Sequence, residues 1–130
     1  MAAAVVAVAA VAGCGGSGHV EQRDGTTILI AEASEAGDDA LLSGTLRSVG
    51  GCLGIEDYVV VWPHGTKVRR GDPLTVKVPG LPWAALGEKA RVGGGVLFEA
   101  GSKERKDHTV AGVTVPASCV AAGVWMGSSP

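Results

Sequence analysis

Apolar residues fall in short runs along this chain, and glycine or proline cuts almost every run. The first run is unlike the rest. Residues 2–13, AAAVVAVAAVAG, carry no charge and no strongly polar group. A helix needs about 20 residues to cross ~30 Å of hydrocarbon, so this run is too short to span a bilayer. It has the length of a secretory h-region, roughly 7–15 residues. Residues 15–24 then stay polar and open with Gly15-Gly16-Ser17-Gly18, the composition of a flexible tether.

Beyond the tether the pattern takes a period of two. Thr26–Ala31 is β-prone, and the acidic segment 32–39 that follows is rich in turn formers. Residues 40–49 put Leu42, Gly44, Leu46 and Ser48 on one face and Leu41, Ser43, Thr45 and Arg47 on the other. Gly50-Gly51 is a turn, Cys52–Ile55 a strand, Glu56-Asp57 a tight turn, and Tyr58–Trp62 the clearest strand of all. Pro63–Thr66 stops it, and Lys67–Arg70 is a short extension. Residues 73–78 alternate Leu74, Val76 and Val78 with Thr75 and Lys77, a half-buried strand with its basic side in water. After the turn at 79–82, Trp83–Leu86 reads as one helical turn or a plug.

Gly93-Gly94-Gly95 reads as a sharp bend or bulge before a strand at 96–99. Residues 101–108 form an exposed charged loop, 110–115 a strand, 116–119 the opening of one helical turn, and 120–126 the last strand. Five to seven short strands at ~8–12-residue spacing predict an all-β domain. The favoured form is a small closed or partly open antiparallel barrel of OB-like size, with a small β-sandwich as the alternative. No internal repeat is present.

Composition narrows the core. The aromatics are Trp62, Trp83, Trp125, Tyr58 and Phe98, so Val, Leu, Ile and Ala must fill the interior. The 21 glycines exceed the usual ~7% share, and most lie between apolar runs as turns. A net charge of −2 gives no nucleic-acid signature. Its distribution is uneven. Residues 20–57 hold eight acids against two bases, and residues 58–130 hold nine bases against five acids. Opposite solvated faces explain this simply. A sharper reading gathers Lys67, Arg69, Arg70, Lys77, Lys89 and Arg91 into a patch for anionic lipid or cell-wall polymer.

The leader ends in Val11-Ala12-Gly13-Cys14, which resembles the bacterial lipobox. The resemblance implies diacylglycerylation of the Cys14 thiol and cleavage before it. Small residues at 12 and 13 admit the peptidase, and the thiolate is the nucleophile for lipid transfer. The run departs from the usual signal in lacking Lys or Arg ahead of it; only the α-amino group of Met1 is positive there. The expected organisation is therefore a signal peptide over 1–13, a lipidated cysteine and tether over 14–25, one β domain over 26–127 and a tail over 128–130. With Cys14 assigned to lipid, Cys52 and Cys119 are left as a pair in an oxidising compartment, and a disulfide between them is expected. Closing a loop of about 67 residues would stabilise the fold by roughly 4 kcal/mol in the chain-entropy account.

A wider set of motifs accompanies the lipobox: Gly44-x-Leu46, Gly51-Cys52-Leu53, Val60-Val61-Trp62-Pro63-x-Gly65-Thr66, Leu86-Gly87 with Gly93-Gly94-Gly95, and Val115-Pro116-x-x-Cys119. Over residues 40–125 the set resembles small uncharacterised lipoproteins of high-GC Gram-positive bacteria. That resemblance carries no catalytic residues. Nor does the sequence supply any: it holds no Gly-x-Ser-x-Gly, no phosphate loop, no His-Glu-x-x-His and no Cys-x-x-Cys. His19, His64 and His108 are dispersed, and the triplet Cys52, Cys119 and His64 is weaker as a zinc set than the disulfide. Glu56-Asp57 are neighbours at a turn, and Glu32, Glu35, Asp38 and Asp39 lack calcium-loop spacing. Trp62 and Trp83, with Lys67, Arg69 and Arg70, form the candidate binding surface.

The expectation is a non-enzymatic lipoprotein on the outer face of the cytoplasmic membrane, without cofactor or metal. It would be monomeric, held by lipid on Cys14, and would serve as a structural module or bind an envelope protein, a wall component or a small ligand. The alternatives are a small envelope hydrolase or metal-dependent enzyme with a dispersed site, and, less favoured, an OB-like nucleic-acid binder.

Overall fold

A computed structural model describes residues 18–33, 40–69, 71–101 and 106–129. Cys14, Glu35, Asp38, Asp39 and Arg70 lie outside the described residues. The chain is nearly all β. The first two strands, β1 (His19–Arg23) and β2 (Thr26–Ile30), form an antiparallel hairpin. Next come β3 (Ala40–Val49), β4 (Cys52–Ile55) and β5 (Tyr58–Trp62). A small antiparallel sheet follows, made of β6 (Lys67–Arg69), β7 (Thr75–Lys77) and β8 (Ala84–Ala85). The long β9 (Lys89–Phe98), the hairpin β10 (His108–Val110) and β11 (Val113–Val115), the short helix α1 (Ala117–Ala121) and β12 (Val124–Ser128) complete it. Among the described residues no helix is long and apolar enough to cross a membrane.

Six strands hydrogen-bond in the cyclic order β2, β4, β3, β9, β12, β5 and back to β2, and β1 flanks β2. This ring is the expected partly open barrel, with a mixed rather than antiparallel sheet. The β2–β4, β2–β5 and β5–β12 pairings are parallel. The β4–β5 hairpin pairs only beside its turn, at Gly54↔Val59 and Ile55↔Tyr58. Its arms then part and β2 slots between them, with Thr27 against Cys52 and Leu29 and Ile30 against Val61 and Trp62.

Period-two alternation fills both faces of these strands. Ile28, Ile30, Leu46, Leu53, Ile55, Val60, Trp62, Val92 and Trp125 come from all six ring strands and pack together in the ring interior. Their neighbours Leu29, Cys52, Val59, Val61 and Val124 face the other way, under Val113 and Val115 of β11 and Cys119 and Val120 of α1. Strands buried on both sides read as continuous apolar runs, which is why 58–62 is YVVVW. Leu74, Val76 and Val78 add to the interior cluster, so the β6–β8 sheet caps one side of the ring. The cap is tied down by Gly87 N–H donating to the Leu46 carbonyl (2.8 Å) and Leu46 N–H to that of Glu88 (2.9 Å).

Several sequence expectations are corrected. The polar stretch assigned to the tether contains β1, closed on β2 by the Asp24-Gly25 turn with both residues at positive φ. Residues 83–86 hold the two-residue strand β8, paired with β7, and no helical turn. The triple glycine lies inside β9 and does not precede a strand. Gly94 has φ +136°, and an added Cβ there would overlap the Met126 carbonyl of β12. The bulge sits slightly later, where Val124 pairs with Phe98 and Trp125 with Val96, so Leu97 is the extra residue. Residues 110–115 belong to a hairpin turned at Ala111-Gly112, because residue 112 is a glycine at φ +82°. Residues 120–123 finish α1 and its exit, so the last strand starts at Val124 and takes in Ser128 of the expected tail.

Candidate binding cleft

A cleft of about 150 Å³ opens between the cap sheet and the β3–β9 pair. Its apolar lining comes from Val76 of β7, Val78 just beyond that strand, residues 81–84 and Ala90. Trp62 lies at its buried end: the side chain is 1% exposed, and its indole N–H donates to the Leu53 carbonyl at 3.3 Å. Trp83 is half-buried at the mouth, where the Arg69 guanidinium lies 4.0 Å over its ring. Such a contact orients both groups and is worth roughly 0.5–1 kcal/mol at an exposed site. The polar lining is Ser43, Lys89 and Arg91, with Ser43 and Arg91 directly paired across β3 and β9. No carboxylate lines the cleft among the described residues.

Antiparallel register places more cations close by. Lys67 pairs directly with Lys77, and Arg69 with Thr75. The ion pairs among the described residues are His19–Glu21, Arg23–Glu21 and Arg47–Asp57, and none uses a cation of the cleft or cap. Two acids stand nearby. Glu88 accepts a hydrogen bond from Ala85 N–H at 2.9 Å. Glu56 accepts one from Thr45 N–H at 2.7 Å, and that bond holds its carboxyl below the usual value, with the Arg47 and Lys89 charges adding in the same direction. Elsewhere, burial and the Glu99 carboxylate push the Tyr58 hydroxyl up; Tyr58 donates to Glu99 at 3.2 Å and meets Trp125 edge-on.

The structure thus brings together Trp62, Trp83, Lys89 and Arg91, with Arg69 at the rim and Lys67 and Lys77 on the cap. Trp62 is a core residue whose indole forms part of the cleft wall, and of the two tryptophans it is the half-buried Trp83 that reaches the surface. Ser43 and the Leu81 side of the cleft were not foreseen, because a polar outward position and a turn residue look alike in any strand-and-turn pattern. Cys52 and Cys119 form a disulfide with an S–S length of 2.04 Å and a Cα–Cα distance of 6.0 Å, joining β4 to α1. His64 is exposed in its turn, His19 meets Glu21 on β1, and the His108 ring lies 4.6 Å from the Phe98 ring, tilted by 49°. Among the described residues no three His, Cys, Asp or Glu side chains converge as a metal set. No protein-family model matches the chain, and no curated protein or solved structure matches it either.

Proposed function

We propose that this chain is a lipid-anchored module of the bacterial envelope, attached through Cys14, whose β domain binds a ligand in the cleft between cap sheet and ring. The observation that carries the binding reading is the cleft itself: an apolar hollow with a half-buried tryptophan at its mouth and a few polar groups on one side. Among the described residues its polar lining supplies a serine and two cations but no acid or histidine to act as a general base. This favours binding over hydrolysis. Location outside the cytoplasm is supported by the buried Cys52–Cys119 disulfide, which suits an oxidising compartment and leaves Cys14 as the unpaired cysteine of the three.

Intact mass of the protein from its native membrane, with and without reductant, tests the anchor. Loss of residues 1–13, a diacylglyceryl group on Cys14 and two protons gained on reduction are expected. An unprocessed chain with three free thiols would overturn it. The cleft is tested by NMR titration with ring-sized fragments, where shifts should concentrate at Trp83, Ala84 and Ala90. Shifts spread evenly over the surface would count against a site there.

A further inference from the structure

We propose that the cleft takes a six-membered ring bearing one anionic group, a carboxylate or phosphate, with the ring against Trp83 and Leu81 and the anion on Arg91 and Lys89. This deepens the reading of the cleft as a binding site and rests on it. Size is the first argument. A cleft of about 150 Å³ is small beside drug-sized pockets of ~300–1,000 Å³, and a cavity near that size holds one benzene. It therefore fits one ring, either a free small acid or a terminal unit of a polymer.

Charge is the second argument. Lys89 and Arg91 line the cleft, no carboxylate does, and Arg91 makes no ion pair among the described residues. Glu56 is the acid that feels Lys89, and its carboxylate is already turned to Thr45 N–H. The cap raises the local potential further. Lys67 and Lys77 stand directly opposite, a pairing that destabilises a sheet, and Arg69 holds its charge over Trp83. The planar fork of an arginine can donate two parallel hydrogen bonds to two oxygens of a carboxylate or phosphate, which a single neutral hydroxyl cannot accept in the same way.

The test is NMR or calorimetric titration of the folded domain with benzoate against benzamide, and glucuronate against glucose. Phenyl phosphate and an oligomer ending in glucuronate serve as further probes. The anionic member of each pair should bind at least tenfold more tightly, more weakly at high salt, and Arg91→Gln should remove most of that preference. Arg91 is exposed on β9, so the variant should stay folded; Lys89→Gln is the second substitution should it not. Preference for benzoate over glucuronate assigns an aromatic acid, the reverse a sugar acid, and tighter binding of the oligomer a polymer end. Equal binding of charged and neutral members would overturn the proposal and leave the cleft as a neutral site. No binding by any probe would overturn both.

Discussion

Glu56 shows how single side chains settle details that a pattern of strands leaves open. It occupies a positive φ of 54° in the β4–β5 turn and reaches across to β3, where Thr45 N–H donates to its carboxylate. Gly44 makes that possible, because a Cβ there would collide with the Glu56 side chain. The sequence marks Glu56-Asp57 as a turn, and nothing in it shows that one carboxylate replaces a strand partner. Since the native carboxyl titrates below its ordinary value of 4.5, the native state binds fewer protons than the unfolded chain in that window. The resulting stability is present above the unfolded value and is lost as pH falls through the native one. Glu56→Gln should therefore be less stable than wild type at pH 6, with the gap narrowing towards pH 3 in urea unfolding. A gap that stays constant would mean the charge is irrelevant. The two tryptophans differ in the same local way. Trp62→Ala empties a fully buried site and should cost about 3–5 kcal/mol. Trp83→Ala, at the cleft mouth, should cost roughly 1 kcal/mol or less. Denaturation midpoints compare them, and similar losses would place Trp83 in the core.

At the scale of elements, legibility followed alternation. β3, β4, β5 and β7 stand where the sequence puts them, since Leu42/Leu46, Leu53/Ile55 and Leu74/Val76/Val78 recur at period two and glycine or proline bounds each run. β1 was hidden because HVEQR has one large apolar residue, and its strand character comes from pairing with TTILI across Asp24-Gly25. β9 was cut short for the opposite reason. Three glycines look like a stop, yet here they let β9 lie close between β3 and β12, with Gly93 paired to Leu41 and Ser128. The cleft was half legible: Trp83 and the basic residues were visible as types, whereas their convergence depends on how the cap folds over the ring. The disulfide joins elements no hydrogen-bonded strand pair connects, β4 and α1, across a separation of 67 residues. Removing it as Cys52→Ala/Cys119→Ala should lower stability by about 4 kcal/mol if the loop-entropy account holds. Thermal melts of the oxidised and double-variant proteins measure this. Loss of under 1 kcal/mol would show that burial of Val113, Val115 and Val120 alone secures that layer.

For the whole molecule, the ring order could not be read from local pattern. β2, β5 and β12 lie side by side and parallel, so each pairing waits for a long excursion of chain to return. The sequence suggested a spacer of about ten residues, but β1 begins at His19, five residues beyond Cys14. At ~3.3–3.6 Å per residue that segment reaches at most about 18 Å. Gly18 packs beside Val113, Ile30 and Ala111, and Glu32 N–H donates to the Ala111 carbonyl, so the chain joins the domain at the Ala111-Gly112 turn. A lipid on Cys14 would therefore hold that turn close to the headgroups and restrict the tilt of the cleft. A fluorophore at Thr109→Cys, in lipidated protein on vesicles with a headgroup acceptor, should transfer energy efficiently. Inserting 20 Gly/Ser residues between Gly18 and His19 adds roughly 25 Å of mean reach and should lower the transfer markedly. If the insertion leaves transfer unchanged, the domain rests on the bilayer by its own surface. The basic cap, and not the short tether, would then be the element that orients it.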